Sequence, residues 1–188
     1  MENMELDARE RILKAAMELL DKEKDAGKIT VRLIAEKAGV GIGLINYHFR
    51  SKEKLLNEAV GTTMAGMAEE LKKLGSGAGS PVDKLKQMLK QLSDFAIRYQ
   101  KHMRISIEYE ILQGDMQVPV YILPVLREIY GREKDERELR LIAFTIITGM
   151  QVMYMKTEAF YKYSGIDITN EKQRSEAIDI MISNFIGK

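Results

Sequence analysis

Apolar residues recur at three- and four-residue spacing along almost the whole chain, while alternating runs of β-branched residues bounded by turn dipeptides are nearly absent. The pattern predicts an all-α fold of about nine helices. Ile12, Ala16, Leu19 and Leu20 stripe a first helix, which Asp25-Ala26-Gly27 is expected to end because glycine enters a left-handed cap without steric cost. Thr30 is placed to cap a short helix over residues 31–38. Gly39 follows where the chain must turn with positive φ, and a second short helix spans residues 41–49. Ser51 is the expected N-cap of a long fourth helix through Leu55, Leu56, Ala59 and Met67 to Leu74. Gly75-Ser76-Gly77-Ala78-Gly79-Ser80-Pro81 is a linker whose last two residues start the next helix, Ser80 as cap and Pro81 in the first helical position. Helices are then expected over residues 82–100, with Leu85, Met88, Leu89 and Leu92 on one face, and over 103–112. Pro119 and Pro124 should kink or delay any helix within 116–130. Residues 135–163 form the longest candidate, and Thr169 is expected to cap a last helix carrying Ile178, Met181, Ile182 and Phe185.

Composition narrows the chemistry. With 188 residues, 45% hydrophobic and 30% charged, the chain can bury one good-sized core or two small ones. The absence of cysteine removes disulfides, thiol nucleophiles and Cys-based metal sites, and two histidines leave little for a His-rich one. No metal or cofactor is expected. Glu2, Glu5 and Asp7 stand where a secretory signal needs a basic, then apolar, start, so a cytoplasmic location is expected. The apolar stretch from Leu141 to Met155 is shorter than the ~20 residues of a membrane span and is interrupted by Thr145, Thr148, Gly149 and Gln151; it reads as a buried helix. No phosphate-binding loop, nucleophile elbow or metal-ligand pair stands out, which argues against an enzyme. The Gly39 to Gly43 run follows a helix rather than a strand, so it lacks the context of a dinucleotide loop.

Charge is informative only locally. Twenty-nine basic against 28 acidic residues give a net charge of +1, which makes no overall case for a nucleic-acid partner. Between Lys28 and Lys54, however, Lys28, Arg32, Lys37, Arg50, Lys52 and Lys54 face only Glu36 and Glu53, six against two and a local excess of four. The same segment places Ile34, Ala35, Ala38, Val40 and Ile45 where two short helices would share a small core. That is the helix-turn-helix pattern, whose second helix enters the DNA major groove.

The run Ile34-Ala35, Ala38-Gly39-Val40 and Gly43-Leu44-Ile45-Asn46-Tyr47-His48-Phe49-Arg50-Ser51-Lys52-Glu53 resembles the N-terminal signature of the tetracycline-repressor (TetR) family of bacterial regulators, over about the first 56 residues. The resemblance implies a three-helix DNA-binding head (1–51) and a helical ligand-binding and dimerisation body (52–188). It implies a homodimer on a palindromic double-stranded operator, commonly a repressor released by a small apolar or amphipathic effector. Carried over by position, Thr30, Arg32, Tyr47, His48 and Lys52 contact phosphates or support the second helix, whose outer face is lined by Gly41, Ile42, Gly43, Leu44 and Asn46. Asn46 stands where the family usually has tyrosine, and Gly41 or Ile42 where it has a hydroxyl or charged residue. Asn46 is therefore a candidate adenine reader, Ile42 and Leu44 can meet thymine methyls or pack inside, and Arg32 and Arg50 can reach guanine or phosphate. His48 is read as phosphate-facing or structural.

Within the body, Leu139, Ile142, Ile146, Met150 and Met153, widened by Ala143, Ile147 and Tyr154, form the stripe expected at a dimer interface, with Gly149 allowing close approach. Candidate effector contacts are Met88, Phe95, Tyr99, Met103, Tyr109, Tyr121, Phe144, Met150 and Tyr154, since twelve methionines suit an adaptable apolar pocket; a plain core explains the same pattern. Control by a protein partner instead of a small molecule is the rival reading.

Overall fold

The hydroxyl of Thr30 accepts a hydrogen bond from the Leu33 N–H at 3.2 Å and so opens helix α2, Val31–Ala38. Gly39 ends it in the left-handed conformation (φ 65°, ψ 40°), with its own N–H bonded to the Glu36 carbonyl and that of Val40 to the Ala35 carbonyl. This double closure brings Val40 back onto the helix it leaves and starts α3, Ile42–Phe49, after a three-residue turn. The computed structural model describes residues 2–23 and 25–186, leaving aside the side chains of residues 2–6 and 63. Among these residues the fold is all-α, with ten α-helices and two 3₁₀ turns. The other helices are α1 (Glu2–Lys22), α4 (Lys52–Ser76), α5 (Pro81–Arg98), α6 (Gln100–Leu112), α7 (Leu123–Tyr130), α8 (Glu136–Met155), α9 (Thr157–Ser164) and α10 (Glu171–Phe185).

Four sequence expectations need correction. Helix α1 ends at Lys22, and Asp25 instead caps a 3₁₀ turn, Ala26–Lys28, by accepting the Gly27 N–H at 2.8 Å; Gly27 is part of that turn, with no positive φ. The single helix expected over 135–163 is two, broken at Lys156 (φ −125°, ψ 40°), a site marked by neither glycine nor proline. The last helix is capped by Asn170, whose side chain accepts from the Gln173 N–H, while Thr169 donates its hydroxyl to Asp167. Helix α4 runs two residues past Leu74 into the glycine-serine segment. The prolines act as expected: Pro119 and Pro124 stand in the opening turns of a 3₁₀ stretch, Val118–Ile122, and of α7.

Packing divides the chain into two compact units, Met1–Ala65 with Lys101–Leu112, and Gly66–Gln100 with Gln113–Lys188. The first is centred on Ile12, Leu20, Ile29, Ile34, Ile45, Phe49, Leu55 and Val60, with Ile105 of α6 packed against them. Helix α6 is also tied there by polar contacts. The Lys101 ammonium donates to the Leu20 carbonyl at the C-terminal end of α1, where a positive charge is favoured, and Ser106 donates to Asn57 at 2.9 Å. The second unit buries Leu71, Leu85, Met88, Leu89, Ile122, Leu126, Ala143, Ile146, Met150, Ile178 and Ile182. Its most buried charge, Arg174, is matched by Asp94 and by the carbonyls of Ile168 and Thr169, which fixes the approach to α10. Among the described residues, no helix is long and apolar enough to cross a membrane.

Candidate nucleic-acid interface

Helix α3 is anchored by Ile45 and Phe49, which are 1% and 0% exposed. Ile42, 46% exposed, and Tyr47, 71% exposed, turn outward, and Gly41, Gly43 and Asn46 are exposed as well. Leu44 and His48 are half-buried. The alternative left open for Ile42 is thereby decided, since it faces solvent; Leu44 sits between the two. Leu33 on α2 is a further exposed apolar side chain that the sequence pattern did not single out. Only its position beside Arg32 at the start of α2 could have pointed to it.

The cations of this segment fall into two groups. Lys37 pairs with Glu18 at 2.7 Å, and Lys54 lies 4.0 Å from Glu58, which also receives Arg9. The hydrogen bond from Lys37, and then its charge, hold the Glu18 carboxyl below the usual carboxylate range against a small opposing effect of burial. Among the described residues, no carboxylate lies within ion-pair distance of Lys28, Arg32, Arg50 or Lys52. Among the described residues, the helix-turn-helix segment therefore carries four cations without a carboxylate partner, a charge excess suited to phosphates.

The turn joining α3 to α4 is built on Arg50 and Ser51. Ser51 caps α4 by accepting the Lys54 N–H at 3.1 Å. His48 packs edge-on to Tyr47, with centroids 5.2 Å apart, and its Nε2 is enclosed with no hydrogen-bond partner among the described residues. Arg9 of α1 lies over the Phe49 ring at 5.3 Å, adding a cation–π contact to the base of the head.

Residues 12–59 match the model of the bacterial regulatory proteins of the tetR family. The chain carries a tetR-family DNA-binding head. Its helix-turn-helix is that of a transcriptional regulator, and the matched span covers α2, α3 and the cations between them. Over 179 residues the chain is 26% identical to the nucleoid occlusion factor SlmA of Sodalis glossinidius, covering 86% of this chain and 89% of that protein. The crystal structure of Thermus thermophilus FadR, a TetR-family transcriptional repressor in complex with lauroyl-CoA, superposes with a TM-score of 0.73 at 21% identity over 96% of each chain. A putative fatty acid metabolism regulator from Clostridium perfringens superposes with a TM-score of 0.59 at 20% identity, over 94% of this chain and 96% of that one.

The candidate effector residues are distributed unevenly. Met103 and Tyr109 lie on α6 in the first unit. In the second, Met88 and Met150 are buried in the core, and Phe95 and Tyr99 stack with centroids 4.5 Å apart. Tyr154 donates its hydroxyl to the buried Ser93 at 2.6 Å, while Tyr121 and Phe144 are exposed. A depression of about 550 Å³ at the start of α10 is lined by Asn170, Glu171, Lys172, Ser175 and Glu176, none of them a candidate. The stripe expected at a dimer interface is spent differently. Leu139, Ala143, Ile146, Ile147 and Met150 are buried within the chain, and Ile142, Met153 and Tyr154 pack on the same core. The outer face of α8 carries a second apolar set, Leu141, Phe144 and Val152, beside the exposed Gly149.

Proposed function

We propose that this regulator is a cytoplasmic homodimeric repressor. Its two heads bind a palindromic operator, and a small amphipathic molecule with an apolar chain releases it. The observation that carries the DNA part is the exposed face of α3 in a segment whose Lys28, Arg32, Arg50 and Lys52 have no carboxylate within ion-pair distance among the described residues. Phosphate contacts from these cations, together with Thr30, Tyr47 and His48, would set the register of the head without reading sequence. Asn46 would read adenine through its amide, and Ile42 and Leu44 would meet thymine methyls above the bare backbone of Gly41 and Gly43. Residues 1–51 would thus do the reading, and residues 52–188 the dimerisation and effector binding.

The effector class is taken from FadR, crystallised with lauroyl-CoA, and from the methionine and aromatic side chains of the body. Such a ligand acts only if it binds the DNA-competent and released conformations unequally. The test is selection of bound fragments from genomic DNA at stated salt, followed by titration with lauroyl-CoA. Recovery of a palindrome that lauroyl-CoA displaces supports the whole reading. A palindrome that lauroyl-CoA leaves bound rejects the acyl effector, and recovery of no preferred sequence rejects the operator.

A further inference from the structure

Three helices of the first unit meet at Arg9. Its guanidinium carbon lies 5.3 Å from the centroid of the Phe49 ring, at the last residue of α3, and its Nη2 donates to a carboxylate oxygen of Glu58 on α4. Arg9 itself belongs to α1 and stands before residue 12, where the match to the family model begins, so the junction adds to the matched pattern from outside it. The apolar residues around it, Ile12, Ile45, Phe49, Leu55 and Ala59, exclude water but do not prescribe an angle, because apolar burial is non-directional. A guanidinium is different. It is flat, with its donors fixed in a fork, so laying its face on a ring commits its edge to one direction. Here face and edge are both used, against two different helices. The second cation near Glu58, Lys54, is 4.0 Å away on α4 itself and links that helix to no other.

We propose that Arg9 is a positioning residue for sequence recognition: without touching DNA, it fixes the angle of α3 on α4 through Glu58, and so the distance at which α3 meets the base edges. The inference rests on the reading of α3 as the DNA-facing helix. Base edges are read by hydrogen bonds and methyl contacts that demand distance and direction, whereas phosphates are met by long cationic side chains that follow a small rotation. A tilted α3 therefore loses discrimination before it loses attraction.

The experiment uses the full chain with Arg9→Met, which keeps the bulk of the side chain and removes its charge and fork, with Glu58→Gln, and with the two combined. Affinities for the selected operator and for a scrambled fragment are measured across a salt series, well below the thermal midpoint of the least stable variant. Arg9→Met should lower the ratio of operator to scrambled affinity roughly 10-fold, on the order of one misread base pair, and leave the slope of log affinity against log salt unchanged. Glu58→Gln should lower the ratio to the same extent, although removing a negative charge from the head by itself favours DNA. The double variant should be no worse than either single one, as expected when two residues act as one link. Losses that add in the double variant place the two residues in separate roles and overturn the proposal. Both DNAs weakened in parallel, with a slope lowered by about 0.9 per head, would make Arg9 a phosphate contact and overturn it as well. So does an unchanged ratio in either single variant, even with a lower thermal midpoint, since a purely stabilising pair moves the midpoint alone. A wild-type chain that prefers no fragment is a separate result, which removes the reading of α3 itself.

Discussion

Gly41 and Gly43 stand in open space. A Cβ built on either meets nothing within 4 Å, and neither has a positive φ, so neither packing nor backbone conformation requires glycine there. Gly41 is the N-cap of α3, but Gly43 lies within this helix of only eight residues, where glycine is unfavourable. Gly43→Ala should therefore stabilise the protein by about 0.5–1 kcal/mol while weakening operator binding, because the new methyl group would stand between the helix backbone and the base edges. Thermal melts and fluorescence anisotropy on one preparation check both signs; unchanged affinity would place Gly43 clear of the groove. At this scale much was legible in advance. Thr30 as a cap, Gly39 as a left-handed turn and Ile34, Ala38 and Ile45 as a buried set follow from local chemistry and spacing. The split between Ile42 and Leu44 did not, because α3 carries apolar residues around most of its circumference and its periodicity cannot say which of them faces water. The positive φ at Arg50 has no sequence signal, since arginine gives no hint of it.

Helix α8 shows what periodicity leaves open at the level of an element. Its start is overdetermined: Asp135 accepts the N–H groups of Arg137 and Glu138, and Glu138 accepts that of Asp135. Apolar residues then occupy two faces, and a sequence cannot tell which face meets its own chain and which another. The inner face ends in Tyr154, whose phenol is pushed above its ordinary pKa by burial, partly opposed by the Ser93 hydrogen bond and the nearby Arg174 charge. A raised folded-state pKa means that stability from the neutral phenol is fully present below about pH 10 and is lost as pH rises through the folded value. Tyr154→Phe should cost about 1 kcal/mol at neutral pH, by leaving Ser93 without its donor, yet should lose less stability than wild type between pH 9 and 11. Denaturant titrations at the two pH values check this, and equal alkaline losses would reject it. The break at Lys156 was not legible, because a helix can end where tertiary packing redirects the chain, without a glycine or proline to mark it.

For the whole molecule, the near-neutral composition averages over uneven local charge, six basic against two acidic residues within 28–54 among them. The outer apolar face of α8 belongs to this scale too. Replacing both Leu141, 65% exposed, and Phe144 by glutamate should leave the intrachain core intact, because neither is in it. It should also halve the mass in sedimentation and lower operator affinity by roughly 10²–10⁴-fold as one head loses the help of the other. A dimer that survives both charges would move the interface elsewhere.

The docking of residues 101–112 against Ile12, Leu20 and their neighbours carries a practical consequence for anyone recombining such regulators. The first unit is continuous in space but not along the chain. A graft cut after Ala65 would carry its reading surface intact yet leave behind Ile105, Lys101 and Ser106, uncovering apolar surface and stripping partners from Leu20 and Asn57. A transplantable module would be excised in two pieces, with residues 101–112 travelling alongside the segment that ends at Ala65.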